Sequence, residues 1–215
     1  MKKIIFRISL YNLLFIFSPL FIFANDQSVV IGLDSGLGSF LTVDGHRKEG
    51  VVCRRCPAVR EVLVQNLFAE WYLFDSIGIG YRYTEASSGF GYPDGNYEYS
   101  HSWFSTNTLL TGNWVFWGET DYVRTGAIIG VGSSTYEYIE KIKRISPTKK
   151  TVSPYETSGS AFLFGLFLDW GGESFGARLG YDYVMTILDP LVIESISYQA
   201  DGSYEGVNFG LRWAW

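Results

Sequence analysis

Within the last thirteen residues, SYEGVNFGLRWAW, apolar and small or polar residues alternate from Gly206 to Trp215. Val207, Phe209, Leu211, Trp213 and Trp215 share one parity, while Gly206, Asn208, Gly210, Arg212 and Ala214 share the other. Successive side chains of a β-strand point to opposite faces. The segment therefore has one apolar face that ends in aromatic rings, and one face that is small and polar.

The same period recurs along the chain. In VVIGLDSGLG, Val29, Ile31, Leu33 and Leu37 oppose Gly32, Asp34, Gly36 and Gly38. In VLVQNLFAEWYLF, Leu67, Ala69, Trp71 and Leu73 oppose Asn66, Phe68, Glu70 and Tyr72. SIGIGYRYTE sets Ile77, Ile79, Tyr81 and Tyr83 against Gly78, Gly80, Arg82 and Thr84. DYVRTGAIIGVG sets Val123, Ala127, Ile129 and Val131 against Arg124, Gly126, Gly130 and Gly132. GSAFLFGLFLDW sets Phe162, Phe164, Leu166, Leu168 and Trp170 against Ala161, Gly165 and Asp169, and SFGARLGYDYVM sets Phe175, Ala177, Leu179, Tyr181 and Tyr183 against Gly176, Arg178, Gly180 and Asp182. The segment from Ser100 to Phe116 alternates less cleanly, but its Thr, Asn and Trp content suits a strand. Together these segments predict eight strands.

Connections after the second, fourth and sixth strands are tight, near residues 75–76, 118–120 and 171–173. Those after the first, third, fifth and seventh are long, at about 39–60, 86–99, 135–157 and 188–202. Every long loop then lies at one end. Membrane barrels sort their loops in this way, with short periplasmic turns and long extracellular loops. Within lipid each backbone N–H and C=O must be paired, so a sheet can span only as a closed ring. The expected fold is all-β, a transmembrane up-and-down antiparallel eight-stranded barrel. A soluble lipocalin-like barrel would reverse the alternation, apolar inside and polar outside. It would also show water a band of Phe, Leu and Trp well beyond tolerable exposed patches.

Composition agrees. Charged residues make up only 18% of the 215-residue chain and aromatics another 18%, with 24 glycines, while a mean hydropathy of +0.07 argues against a helical membrane protein. The opening MKKIIFRISLYNLLFIFSPLFIFA has Lys2, Lys3 and Arg7 before an apolar run, and a cleavage region ending at Ala24. It reads as a secretory signal peptide over residues 1–24, leaving a barrel over 25–215. Its removal leaves 14 basic and 22 acidic residues, a net charge of −8.

With this leader, eight alternating strands and a final NFGLRWAW, the chain resembles the small bacterial outer-membrane barrels of the OmpA/OmpX/opacity-protein type. The resemblance covers residues 27–215 and lies in architecture rather than in a diagnostic motif. It implies residence in the outer membrane of a Gram-negative bacterium, among outer-membrane lipids and lipopolysaccharide. It also implies that the barrel-assembly machinery recognises the C-terminal aromatic, here Trp215 where phenylalanine is usual. That location excludes nucleic acid as a partner. Trp71, Trp114, Trp170, Trp213 and Trp215 fall at the margins of the apolar face, where amphipathic rings are favoured.

Parity sends Asp34, Glu70, Asp169 and Asp182 into the lumen together with Arg82, Arg124, Arg178 and Arg212. Charges in so narrow a space have to be paired, so these four acids and four arginines are expected to plug it; a narrow ion path is the alternative. A lipid A-modifying enzyme is the other alternative. His101 lies in YSHSWFSTN beside Ser102, with Ser105 four residues on and Glu98 nearby. A partner two residues away would share the histidine's face, but Trp103 stands there, which departs from the pattern of such enzymes. No catalytic residue, cofactor or metal site is assigned.

The loops offer a basic patch of Arg47, Lys48, Arg54 and Arg55 in the first and Lys141, Lys143 and Arg144 in the third. Such clusters suit lipopolysaccharide phosphates or extracellular polyanions. The non-enzymatic reading is an adhesin-like or shielding barrel that binds host or extracellular ligands through its loops. The two cysteines of CRRCP fall in the first loop. A redox dithiol lacks its strand-to-helix context, and a zinc site lacks ligands beyond His46. A Cys53–Cys56 disulfide is the reading left, in keeping with export to an oxidising compartment.

Overall fold

The computed structural model describes residues 29–41, 61–118, 123–144, 149–172, 174–193 and 195–215. Seven strands follow one another along the chain: β1 (Val29–Phe40), β2 (Glu61–Phe74), β3 (Ile77–Asp94), β4 (Tyr97–Gly118), β5 (Val123–Arg144), β6 (Lys149–Gly171) and β7 (Phe175–Leu188). A small hairpin, β8 (Leu191–Ile193) with β9 (Ile196–Tyr198), precedes β10 (Tyr204–Ala214). Every neighbouring pair is antiparallel, and β1 closes against β10 in the ring β1-β10-β7-β6-β5-β4-β3-β2. This is an eight-stranded up-and-down barrel.

Its stagger follows from the registers. The pairs Phe40–Tyr204, Tyr204–Val184, Val184–Leu163, Leu163–Gly130, Gly130–Thr111, Thr111–Gly80, Gly80–Glu70 and Glu70–Val30 lead round the ring and return to β1 ten residues from the start. Stagger and strand number together fix strand tilt and bore, and eight strands leave room only for side chains.

The alternation sorts as it should for a barrel in lipid. Leu33 (57% exposed), Leu110 (66%), Ile129 (61%), Phe164 (53%) and Phe209 (55%) face outward. Within the apolar band the large side chains of the opposite parity are buried, with Val64, Leu109, Leu163 and Val184 at 0%. Apolar side chains ring the outside, and every described strand carries its charges either on the inside or beyond that band.

The strands do not stop where the loops were expected. Over 86–99 and 135–157 the ladders continue: β3 and β4 pair out to Asp94–Tyr97, and β5 and β6 out to Arg144–Lys149. These two loops are hairpin extensions of the sheet. The cause is in the sequence, since STYEYIEKIKRI keeps the two-residue period well past the apolar band. The fourth long connection likewise contains β8 and β9, turned at Ser195, which adopts φ 69°. The leader and the first loop lie outside the described residues. At the opposite end, the turn after β6 needs its glycine: Gly171 sits at φ 133°, a conformation L side chains rarely adopt.

Candidate functional site

The structure brings all eight lumen charges together, each 3% exposed or less. They form two tiers. In the tier nearer the short turns, Arg178 of β7 is the keystone. Its Nη1 and Nη2 donate to the two carboxylate oxygens of Glu70 (2.5 and 2.9 Å), and its Nε and Nη2 donate to Asp169 (2.6 and 2.9 Å). The guanidinium plane lies between two rings, 4.3 Å from the centroid of Phe68 and 4.5 Å from that of Phe167. Arginine's flat, forked and weakly hydrated head suits both kinds of contact. Arg124 donates Nε to Asp169 at 2.9 Å and lies 4.4 Å over Tyr72, whose hydroxyl donates to Glu70 at 3.1 Å. Arg212 approaches the same Asp169 carboxylate at 3.7 Å.

In the second tier, Arg82 donates to Asp182 at 2.7 Å and reaches Asp34 at 3.5 Å. Asn66 donates to Asp34 at 2.5 Å and to Asp182 at 3.3 Å, and Asn208 donates to Asp182 at 2.5 Å. Three arginines thus meet two acids in one tier, and one arginine meets two acids in the other, so the lumen is neutral as a whole but polar along its axis. Above both tiers, Tyr204 donates to Thr84 at 2.8 Å, and an apolar layer of Val62, Val64, Ala86, Leu109, Ala161, Leu163 and Val184, each 2% exposed or less, fills the bore.

Asn66, Asn208, Phe68, Tyr72 and Phe167 complete this site and were not among the residues singled out from the sequence. Parity already placed Asn66, Phe68, Tyr72 and Asn208 inward. What parity could not show is that a lumen of this bore uses aromatic rings to clamp its arginines.

Trp71, Trp114, Trp170, Trp213 and Trp215 all lie outward at the short-turn end, paired in register with Ile79, Ile77, Val123 and Ile31 or bonded through the backbone to Val29. Trp117, 62% exposed, joins them. Tyrosines take the other margin, where Tyr181 donates to Glu205 at 2.6 Å.

Beyond that margin the ladder of β3, β4, β5 and β6 continues past its described pairs with β2 and β7. β2 has its last pair with β3 at Ser87, and β7 has its last pair with β6 at Gly159. Seven residues of β3 (Ser88–Asp94) and ten of β6 (Lys149–Ser158) therefore lie beyond those pairs, roughly 24–34 Å of chain at the usual rise per residue. The axis-facing side of this projection is aromatic. His101 stacks on Tyr138 (ring centroids 5.9 Å apart, 11° between planes), Tyr138 on Tyr155 (6.0 Å, 17°), and Trp103 packs against His101 and Tyr138 at 6.1 and 5.6 Å. Leu191 and Ala200, from the connection that holds β8 and β9, cover Tyr136 and Tyr138.

The basic patch expected at this end is divided. Arg47, Lys48, Arg54 and Arg55 lie outside the described residues, as do Cys53 and Cys56. Lys141 and Lys143 are on β5 rather than in a loop, on the face away from the axis, and Lys143 is spent on Glu98 at 2.8 Å. Arg144 is the last residue of β5.

His101 shares a hydrogen bond between its Nδ1 and the Tyr138 hydroxyl, 2.6 Å apart. Ser102 is on the opposite face, and Trp103 separates His101 from Ser105. Burial holds the imidazole below its ordinary range, with Glu140 across the strand pair pulling weakly the other way. A histidine lowered by folding stabilises the projection above its unfolded value of about 6.5 and withdraws that support as pH falls toward the folded value. Protease cleavage of the projection is therefore expected to quicken between pH 7.5 and 5. His101→Gln should flatten the profile, and an unchanged slope in that variant would refute the assignment.

No protein-family model matches the chain, and no curated protein matches it in sequence. Solved structures do align over nearly its full length. Ail, the attachment invasion locus protein of Yersinia pestis, crystallised with the heparin analogue sucrose octasulfate, is 13% identical with a TM-score of 0.42, over 88% of this chain and 97% of that one. The outer membrane protein OprG from Pseudomonas aeruginosa is 10% identical (TM-score 0.41, 88% and 95%), and the outer membrane protease OmpT from Escherichia coli is 12% identical (TM-score 0.36, 89% and 97%). These likenesses carry no argument beyond themselves; the chain's own geometry is that of an eight-stranded antiparallel β-barrel with an apolar exterior and a packed lumen.

Proposed function

We propose that this protein is a non-enzymatic surface barrel, adhesin-like or shielding, whose lumen is closed and whose projecting sheet is the working part. The N-terminal segment directs export, the barrel-assembly machinery inserts the ring, and the belt of tryptophans settles it among outer-membrane lipids and lipopolysaccharide, with the short turns in the periplasm. The observation that carries the reading is the inequality of strand lengths. β3 to β6 run 18, 22, 22 and 23 residues, while β1, β2, β7 and β10 run 12, 14, 14 and 11. About ten residues suffice to cross the hydrocarbon. The excess is a ladder-bonded platform held outside the membrane.

Shortening both hairpins to tight turns at the level of Ser87 and Gly159 tests it. Cells carrying the shortened barrel should lose adherence or shielding while the protein keeps heat-modifiable migration on a gel. Undiminished adherence and shielding would refute the reading. The closed lumen has its own test. Purified refolded protein in a planar bilayer should give no steady unitary currents, and their appearance would mean that the ion tiers line a pore.

A further inference from the structure

We propose that two copies of this chain associate within the membrane through the outer face of β1 and β2, with Gln65 at the centre of the contact. Such pairing is separate from the surface-binding role above and does not depend on it.

Gln65 breaks the outward pattern of its strand. On β2 the outward parity runs Leu63, Gln65, Leu67, Ala69 and Trp71. Gln65 is exposed, and Leu63 beyond it is 44% exposed. The amide stands six residues along β2 from Trp71 of the tryptophan belt, roughly 15 Å in height at the usual strand rise and tilt, within an apolar band about 25 Å tall. This is hydrocarbon depth, where no water completes a hydrogen bond. Among the described residues no other amide side chain faces outward within the band. The neighbours are already engaged. Ser35, directly opposite on β1, donates its hydroxyl to the Val64 carbonyl at 3.2 Å. Glu85, the register partner on β3, accepts from the Tyr83 hydroxyl at 3.5 Å. The Gln65 side chain, with two N–H donors and a carbonyl acceptor, makes no hydrogen bond among the described residues.

That chemistry selects the partner. An acyl chain offers neither donor nor acceptor. A primary amide is its own complement, and in a two-fold contact the same patch meets itself. One Gln65 then donates to the carbonyl of the other and accepts from it in return. The surroundings suit close approach. Ser35 is a small residue set between Leu33 and Leu37, which are 57% and 73% exposed, so the amide lies beside a gap edged by leucines. In lipid, apolar side chains gain little by leaving one apolar surface for another. Small residues that permit close approach, and polar side chains that bond across the contact, are what hold spanning segments together.

The test uses the full-length protein refolded in phosphatidylcholine vesicles free of lipopolysaccharide. Energy transfer between donor- and acceptor-labelled copies should rise with the protein-to-lipid ratio. Gln65→Leu should weaken the association about tenfold, as the loss of two modest hydrogen bonds in lipid implies, and Gln65→Asn should keep most of it. Gln65→Leu should also resist urea at least as well as the wild type, because an amide leaves the hydrocarbon; this separates loss of a contact from loss of fold, and every variant is checked by heat-modifiable migration. A second measurement replaces Cys53 and Cys56 with serine and adds one cysteine. Gln65→Cys should give a cross-linked dimer on mild oxidation, and Ile129→Cys, on β5 and 61% exposed, should stay monomeric. Monomers at every protein-to-lipid ratio would overturn the proposal, as would association unchanged in Gln65→Leu or equal cross-linking through Ile129→Cys. Association that arises only when lipopolysaccharide is added would show that the amide seats a lipid, and would overturn it too.

Discussion

Arg178→Ala should destabilise the barrel by about 3–5 kcal/mol, the range for removing one partner of a buried ion pair. Arg178 is 1% exposed and makes four hydrogen bonds to two carboxylates, Glu70 and Asp169. Truncation leaves Glu70 with only the Tyr72 hydroxyl and Asp169 with Arg124 and a distant Arg212. It also empties the slot between Phe68 and Phe167. Urea titration of the refolded protein in lipid vesicles, followed by tryptophan fluorescence, measures the loss. Arg178→Met combined with Glu70→Gln should recover part of it, because the unpaired charge is removed and the slot is refilled. A loss below about 1 kcal/mol for Arg178→Ala, the scale of a surface pair, would show that the lumen is wet enough to solvate both acids.

The second large effect concerns closure of the ring. On the β1–β10 seam five of the twelve inward positions are glycine: Gly32, Gly36 and Gly38 on one strand, Gly206 and Gly210 on the other. A Cβ at Gly210 would stand 2.1 Å from the Leu33 carbonyl oxygen and 2.4 Å from the Asp34 Cα. Both are backbone atoms, which cannot turn aside as a side chain can. Gly210→Val is expected to prevent folding, read as loss of the heat-modifiable band and failure to reach the outer membrane. Gly180→Ala is the comparison, since its Cβ would meet only the Leu166 oxygen at 3.7 Å. If the two behave alike, seam packing is not what the glycines serve.

Much of this was legible beforehand, and for one physical reason. A strand in a barrel has two faces with incompatible solvents, so the hydrophobic pattern fixes which way every residue points, and a slip of one residue would reverse it. That is why parity alone carried Asp34, Glu70, Arg82, Arg124, Asp169, Arg178, Asp182 and Arg212 to the lumen. Parity does not carry height. Nothing in the pattern says that Arg82 meets Asp182 while Arg178 meets Glu70 and Asp169; those pairings depend on the ten-residue stagger, which emerges only when the ring closes. The extensions past the apolar band are harder to read for a related reason, although STYEYIEKIKRI alternates and points to strands that continue beyond the membrane. Outside lipid a strand no longer needs an apolar face, so its outward residues become Glu, Lys and Ser and the segment reads as loop. Tyr136, Tyr138 and Ile142 keep the period, and they mark where the ladder continues. The β8–β9 hairpin is too short for any period to reveal.

Every seam of the barrel but one joins strands that are neighbours in sequence or nearly so. The exception pairs Phe40 with Tyr204. Such a chain can build most of its sheet from successive hairpins, leaving one long-range joint, the slowest kind to form, for the end. That joint also brings Asp34 on β1 and Arg212 on β10 to their partners, so the last backbone bonds and the final burial of charge belong to the same event. Undoing it requires both at once. The protein's persistence in a harsh exterior is then a matter of rate, set by how seldom the seam parts, more than of the equilibrium between folded and unfolded chains.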